Sequence, residues 1–162
     1  MFKITKIGND NYKIKTSHYP YISNNKHSRN IALLGIGGNI GDVNRRFEHL
    51  FWFLKRSGFV KILQTSPILK NPPFGYKNQP FFYNAVVLVD TKLTPLELLR
   101  FILHAEKKFG RKRSFKNAPR TLDIDMIKYG KLIINKSNLI LPHPFWGARD
   151  SVLLPLAWMK GV

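Results

Sequence analysis

The sequence predicts an α+β sandwich in which one sheet carries two helices on the same face. Three observations predict it. Apolar runs of strand length, "IALLGI", "VKILQTSPIL" and "FFYNAVVLVDT", recur along the chain. Residues 43–58 place Val43, Phe47, Leu50, Phe51 and Leu54 at helical spacing. Residues 95–109 carry the start and stop signals of a second helix.

In order, "FKITKI" and "YKIKT" alternate apolar and polar residues around "GNDN", which reads as a β-hairpin. "SNNKHSRN" reads as a polar linker. "IALLGI" has the continuous apolar character of a central buried strand, and "GGNIGD" is a Gly-rich turn into the first helix. Asp42 is placed to cap that helix and Gly58 to end it. "VKILQTSPIL" reads as one strand. "NPPFGYKNQP" is a loop, because its prolines remove donors and fix φ. "FFYNAVVLVDT" is the next strand. The second helix has Thr94 as N-cap, Pro95 at its first position, Glu97 closing a capping box and Gly110 as terminator. The basic loop "RKRSFKNAPR" leads into a fourth strand, "TLDIDMIKYG", with which "KLIIN" is expected to pair. The tail from Leu139 reads as loop, then short helix. The order βαββαβ, with both helices on one face, is a ferredoxin-like sandwich with an added N-terminal hairpin and a C-terminal hairpin and short helix. Residues 1–30 are expected to form an extension and 31–162 the main domain.

The chain has 162 residues, enough for one domain with a sizeable core. It has no cysteine, which excludes disulfides and thiolate metal sites and fits a reducing cytoplasm. No apolar run reaches membrane-span length, and the N-terminus lacks the apolar block of a signal peptide. The expectation is a soluble cytoplasmic protein. Its 27 Lys+Arg against 9 Asp+Glu give a formal charge of +18 and point to an anionic partner.

Against that charge, Asp123 and Asp125 stand two residues apart. On a strand they share a face, with Cα atoms about 6.5 Å apart. Convergent carboxylates suit Mg²⁺, which binds through a few carboxylates plus phosphate oxygens; the alternative is a solvated or Arg-paired surface couple. Arg111, Arg113, Lys116 and Arg120 precede the pair, more cations than two carboxylates need, and the surplus suits a polyphosphate. The glycines of "GIGGNIGD" permit close approach of backbone to phosphate, although the Walker ending is missing. Around "NPPFGYKNQP" stand Phe74, Tyr76, Phe81, Phe82 and Tyr83, with Asn84 next. A stiff aromatic loop plus one amide can clamp a flat heterocycle, or form an aromatic core cluster with a capping Asn.

Taken in order, these segments resemble the 6-hydroxymethyl-7,8-dihydropterin pyrophosphokinases of folate biosynthesis, over about Ile31 to Trp158. The most specific part is "KNAPRTLDIDMI", which fits the family's R-x-x-D-[LIV]-D signature. The G-x-G-x-N start, the "PP-x-G…QP…N-A" segment, the Glu106–Gly110–Arg111–Arg113 run and the "PH…R" segment follow at family-like spacing. The resemblance implies transfer of pyrophosphate from ATP to the pterin hydroxymethyl group, leaving AMP, with two Mg²⁺ ions. It implies Asp123 and Asp125 as metal ligands and, with Arg111 and Arg113, as the catalytic set. Glu106, Arg111, Arg113, Arg120, His143 and Arg149 are implied as ATP contacts. Gly37, Asn71, Pro72, Pro73, Phe74, Phe82 and Asn84 are implied as the pterin pocket, with Phe82 stacking on the ring.

The chain departs from the family pattern in four places. Gly38 stands where Ser is frequent, Asn71 where Thr is usual before Pro-Pro, and Lys116-Asn117 near the place of an Arg-Trp pair. Ser151 stands where a second stacking ring is usual, which leaves Phe145 or Trp146 to replace it. A rival reading, an RNA-binding module, has the net charge and "FFY" in its favour. It lacks an RNP-type pattern, and its carboxylate pair would repel phosphate, so nucleic acid is the less favoured partner. The N-terminal hairpin is compatible with self-association by strand addition.

Overall fold

The computed structural model describes residues 2–24 and 30–161, so most of the expected linker lies outside the described residues. The chain runs β1 (Lys3–Gly8), β2 (Asn11–Lys15), β3 (Tyr21–Ile22), β4 (Asn30–Gly38), α1 (Val43–Ser57), β5 (Val60–Thr65), β6 (Ile68–Asn71) and β7 (Phe82–Thr91). It continues with α2 (Pro95–Lys108), β8 (Asp123–Tyr129), β9 (Ile134–Lys136), β10 (Leu139–Leu141), a 3-10 turn (Trp146–Ala148) and α3 (Asp150–Ala157). The result is a mixed α+β fold with an antiparallel sheet. β4 lies between β7 and β8. The far edge of β7 is shared by β5 and β6, β2 pairs with β6, and β1 pairs with β2.

Each helix forms where its signals stand. Asp42 accepts from the Arg45 N–H, Gly58 takes φ 76°, and Val43, Phe47, Leu50, Phe51 and Leu54 are all buried. Thr94 and Glu97 close the capping box of α2. Both helices cover one face of the sheet, where Leu34, Ile36, Val87 and Val89 meet Phe47, Leu50, Leu98 and Ile102. The other face carries a smaller cluster, Leu33, Val86, Ile127, Val152 and Met159, under α3.

Two sequence expectations are corrected. "VKILQTSPIL" is two strands, not one. Pro67 cannot donate to a ladder, and the buried Ser66 fills the gap, its Oγ accepting from Val86 N–H at 2.9 Å. "KLIIN" does not pair with β8. Gly130 and Leu132 turn the chain away, their N–H groups bonding Ile31 O and Tyr129 O, and β9 pairs with β10 instead. The tail therefore begins as a strand, with Leu139 and Leu141 buried and Ile140 exposed.

The N-terminal segment is built into the sheet. Ile14 on β2 and Tyr19 before β3 join the main core. The Tyr19 hydroxyl donates to Phe47 O at 2.9 Å, and the His18 ring stacks on Phe51 at 4.3 Å while its Nδ1 lies 2.7 Å from Glu48 Oε2. Ile14→Ala should therefore cost about 2–5 kcal/mol in urea denaturation, as a core truncation does; a loss of about 0.5 kcal/mol or less, typical of a surface site, would show that the hairpin only decorates the domain.

Candidate active site

The sheet face under α3 opens at one end into a cavity of about 790 Å³. Its floor is bare backbone. β4 presents Gly35 and Gly37 there, and Gly37 lies between Asn84 on β7 and Asp123 on β8. A Cβ at Gly37 would stand 2.7 Å from Asn84 Oδ1, and one at Gly38 would stand 2.5 Å from Thr121 O. A side chain at Gly37 would displace the Asn84 amide that lines the cavity, and one at Gly38 would strike the backbone before β8.

Asp123 and Asp125 both line this cavity, as the period of a strand requires. Their surroundings differ. Asp123 is clasped by Arg111 Nη1 and Arg120 Nη1, each at 3.2 Å. Asp125 has no such clasp. Burial, and then the charge of Asp123, push its pKa up to about 7, with Arg149 opposing the rise. Glu106 lies behind the pair on α2, only 3% exposed. Its Oε2 accepts from Ile124 N–H at 2.7 Å, and Arg113 and Arg111 lie 3.2 and 3.7 Å from its carboxylate. Burial, and the charge of Asp123, raise its pKa, while the Ile124 N–H and these arginines oppose the rise. Glu106 thus ties α2 to β8 and aims two arginines.

Across the floor lie the residues that the family resemblance implies as the ring slot. Asn71, Pro72, Pro73, Phe74, Phe82 and Asn84 line it. Asn84 Nδ2 donates to Asn71 Oδ1 at 2.8 Å, and the Arg120 guanidinium lies 5.1 Å over the Phe82 ring. Arg149, Ser151 and Phe145 line the opposite side. Phe145 is 57% exposed, with the Arg149 guanidinium 5.6 Å from its ring. Trp146 points elsewhere, against the cluster under α3 and beneath Lys128.

Glu106, Arg111, Arg113 and His143 lie off the cavity wall. Arg113 is in the basic loop and its side chain is 67% exposed. The His143 Nδ1 accepts from Phe145 N–H at 3.2 Å, and burial, with Arg149 beside it, holds its pKa below the usual range.

Sequence reasoning gave no role to Asn39. It is buried at the end of β4 and ties three segments together. Its Oδ1 accepts from Arg120 N–H, and its Nδ2 donates to Gln79 Oε1 and Pro80 O, all at 2.9–3.0 Å. Gln79 in turn donates to Asn117 O, and Arg46 bridges Ile40 O and Thr121 O. These amides join the ring-slot loop to the basic loop. The available signal was a polar residue in a Gly-rich turn, which says nothing about its distant partners.

A carboxylate pair flanked by arginines, facing a cleft lined by prolines and aromatic rings, fits a class: an enzyme transferring a phosphate-bearing group to a small cyclic acceptor. The sequence profile of the 7,8-dihydro-6-hydroxymethylpterin-pyrophosphokinases matches residues 33–161. The chain is 43% identical over 130 residues to 2-amino-4-hydroxy-6-hydroxymethyldihydropteridine pyrophosphokinase of Helicobacter pylori, covering 79% of this chain and 80% of that one. It is 43% identical over 143 residues to the enzyme of that name in Campylobacter jejuni, covering 88% and 91%, and 36% over 128 residues to that of Bacillus subtilis, covering 79% and 77%. The chain belongs to the 7,8-dihydro-6-hydroxymethylpterin-pyrophosphokinase family.

The raised Asp125 pKa has a consequence for stability. Its ordinary value is 3.8 and its folded value about 7, so between these pH values the folded state holds a proton the unfolded state has lost. The stability contributed by this group therefore falls as pH rises through that window, and the cost is complete above it. Asp125→Asn should match the wild-type melting temperature near pH 4 and exceed it by a few degrees at pH 8; an equal or lower Tm at pH 8 would contradict the burial argument.

Proposed function

We propose that this cavity performs the family reaction: pyrophosphate passes from ATP to the hydroxymethyl oxygen of 6-hydroxymethyl-7,8-dihydropterin, leaving AMP, as a step of folate biosynthesis. The observation that carries the reading is the carboxylate pair, with arginines clasping Asp123 and a half-buried Asp125 without an ion-pair partner among the described residues. This donor set fits Mg²⁺, which takes one or two carboxylates and fills its remaining positions with phosphate and water. Asp123 and Asp125 would hold it, two ions on the family pattern, and bound Mg²⁺ supplies positive charge to the phosphate oxygens and the attacking hydroxyl.

The chain's own residues do the rest by positioning and charge. Arg111 and Arg120 turn from Asp123 to the polyphosphate, a bidentate exchange that matches guanidinium geometry. Arg113, aimed by Glu106, and Lys116 reach it from the basic loop, and Arg149 reaches it from the opposite wall. His143, kept neutral by burial, has Nε2 left over for ATP. Asn84, held by Asn71, meets the polar edge of the pterin, and Phe82 and Phe145 take its two faces. The hydroxymethyl oxygen forms a bond to the β-phosphorus, the bond from that phosphorus to the α-phosphate oxygen breaks, and the hydroxyl proton leaves to solvent. Closure of the ring-slot and basic loops, already joined through Gln79 and Asn39, excludes water.

The core strand order, β5 and β6 beside β7, then β4, then β8, with α1 and α2 on one face, supports a ferredoxin-like reading of the sandwich. Residues 31–162 are the pyrophosphokinase domain and 1–30 its extension. Among the described residues no helix is long and apolar enough to cross a membrane; with the absence of cysteine, this favours a cytoplasmic enzyme.

Incubation with ATP, Mg²⁺ and the pterin should give AMP only when the pterin is present, and Asp125→Ala should lower turnover by roughly a thousandfold or more with little change in pterin binding. ADP as product, or an Asp125→Ala chain as active as wild type, would refute the reading. Phe145→Ala should raise the pterin KM by roughly 3- to 10-fold, the worth of one stacked ring, while Trp146→Phe leaves it unchanged; the reverse pattern would place the second ring at Trp146.

A further inference from the structure

The family match begins at residue 33, yet the cavity has a wall from before it. Asn11, the first residue of β2, lines the cavity beside Leu69, Asn71 and Pro72. The register explains this. β2 pairs with β6 as Tyr12↔Lys70 and Lys13↔Leu69, so the next position sets Asn11 beside Asn71.

The two asparagines are not equivalent. The Asn71 amide is committed, its Oδ1 accepting from Asn84 and its Nδ2 donating to Pro72 O. Asn11 makes no side-chain hydrogen bond to another described residue. Its backbone is nonetheless held on both sides of the strand. On the helix side Tyr12 is one of three rings around Lys70 Nζ, at 5.6 Å, with Phe81 at 5.8 Å and Tyr83 at 5.7 Å, the residues that flank Phe82. On the α3 side the Lys13 ammonium lies 4.8 Å over Trp158, which caps the end of α3. The start of α3, through Asp150, Ser151 and Val152, forms the opposite wall.

We propose that the N-terminal hairpin is a wall of the ring slot and that Asn11 is a recognition residue for the acceptor. It presents an amide oxygen and an amide N–H₂ to a polar edge of the planar heterocycle, beyond the edge that Asn84 meets. The inference rests on the proposed pterin reaction. It makes this strand a specificity element that the matched family region does not contain.

The test uses the full chain, with KM for the pterin, KM for ATP, kcat and Tm measured for wild type, Asn11→Ala, Asn11→Asp and the control Thr5→Ala. Loss of one hydrogen-bonding amide should raise the pterin KM roughly 3- to 10-fold, leave kcat and the ATP KM within about twofold, and leave Tm unchanged. Asn11→Asp, which keeps the shape and removes the N–H₂ donor, should raise the pterin KM likewise, and Thr5→Ala should match wild type. An active wild type with an unchanged pterin KM in both Asn11 variants overturns this inference alone. Equal disturbance of ATP and pterin parameters, or a fall in Tm in both variants, also overturns it, because Asn11 would then be structural. A wild-type chain that makes no pterin-dependent AMP overturns the parent reading, and this one with it.

Discussion

Two carboxylates two residues apart on one strand cannot both keep full charge in a partly buried place unless cations stand beside them. Much of this site follows from that constraint. Asp123 recruits Arg111 and Arg120. Asp125, half-buried and unclasped, has its pKa pushed up toward neutral pH. Glu106 adds a third acid behind them, stabilised by a backbone N–H and the arginines of the basic loop. The charges form a lattice of pairs into which the proposed polyphosphate and metal would exchange. Such an arrangement costs stability at the pH where the acids ionise, and that cost marks a site shaped by use more than by folding.

The second determinant is what β4 lacks. Its residues facing α1 and α2 are Ala32, Leu34 and Ile36, which fill the core. On the other face Leu33 joins the second cluster, and at the cavity end β4 presents Gly35 and Gly37. One strand therefore closes the core on one side and opens a cavity on the other. The loops at its end are then joined by amides, with Asn39 and Gln79 linking the ring-slot loop to the loop bearing Arg113 and Lys116. The two loops are thus mechanically connected, which suits the proposed reaction, one that must keep water from ATP.

Helices were the most legible part of the sequence, because their signals are local. A capping box, an N-terminal proline and five apolar residues at helical spacing each act within a turn or two, and the structure places them as read. Strand partners were less legible. "KLIIN" and "LIL" pair with each other because Gly130 and Leu132 turn the chain away from β8. The break at Ser66-Pro67 was visible as a proline, but its consequence, that β5 and β6 share one edge of β7, depends on a strand twenty residues on. Phe145 and Trp146 were indistinguishable as neighbours in sequence; one turn of 3-10 helix sends one ring to the cavity and the other to the second cluster.

The sequence by itself determined which face Asp123 and Asp125 share, how the helices begin and end, and, through its motifs, the family. These follow from the period of a strand, the chemistry of a cap and the identity of side chains at fixed spacing, all set within a few residues. Only the tertiary structure decided that Asp123 is clasped while Asp125 is not, that Asn39 joins three segments, and that a hairpin outside the family match supplies Asn11 to the cavity. Burial, charge pairing and strand register are properties of residues far apart in the chain, and they acquire values only when the sheet has closed.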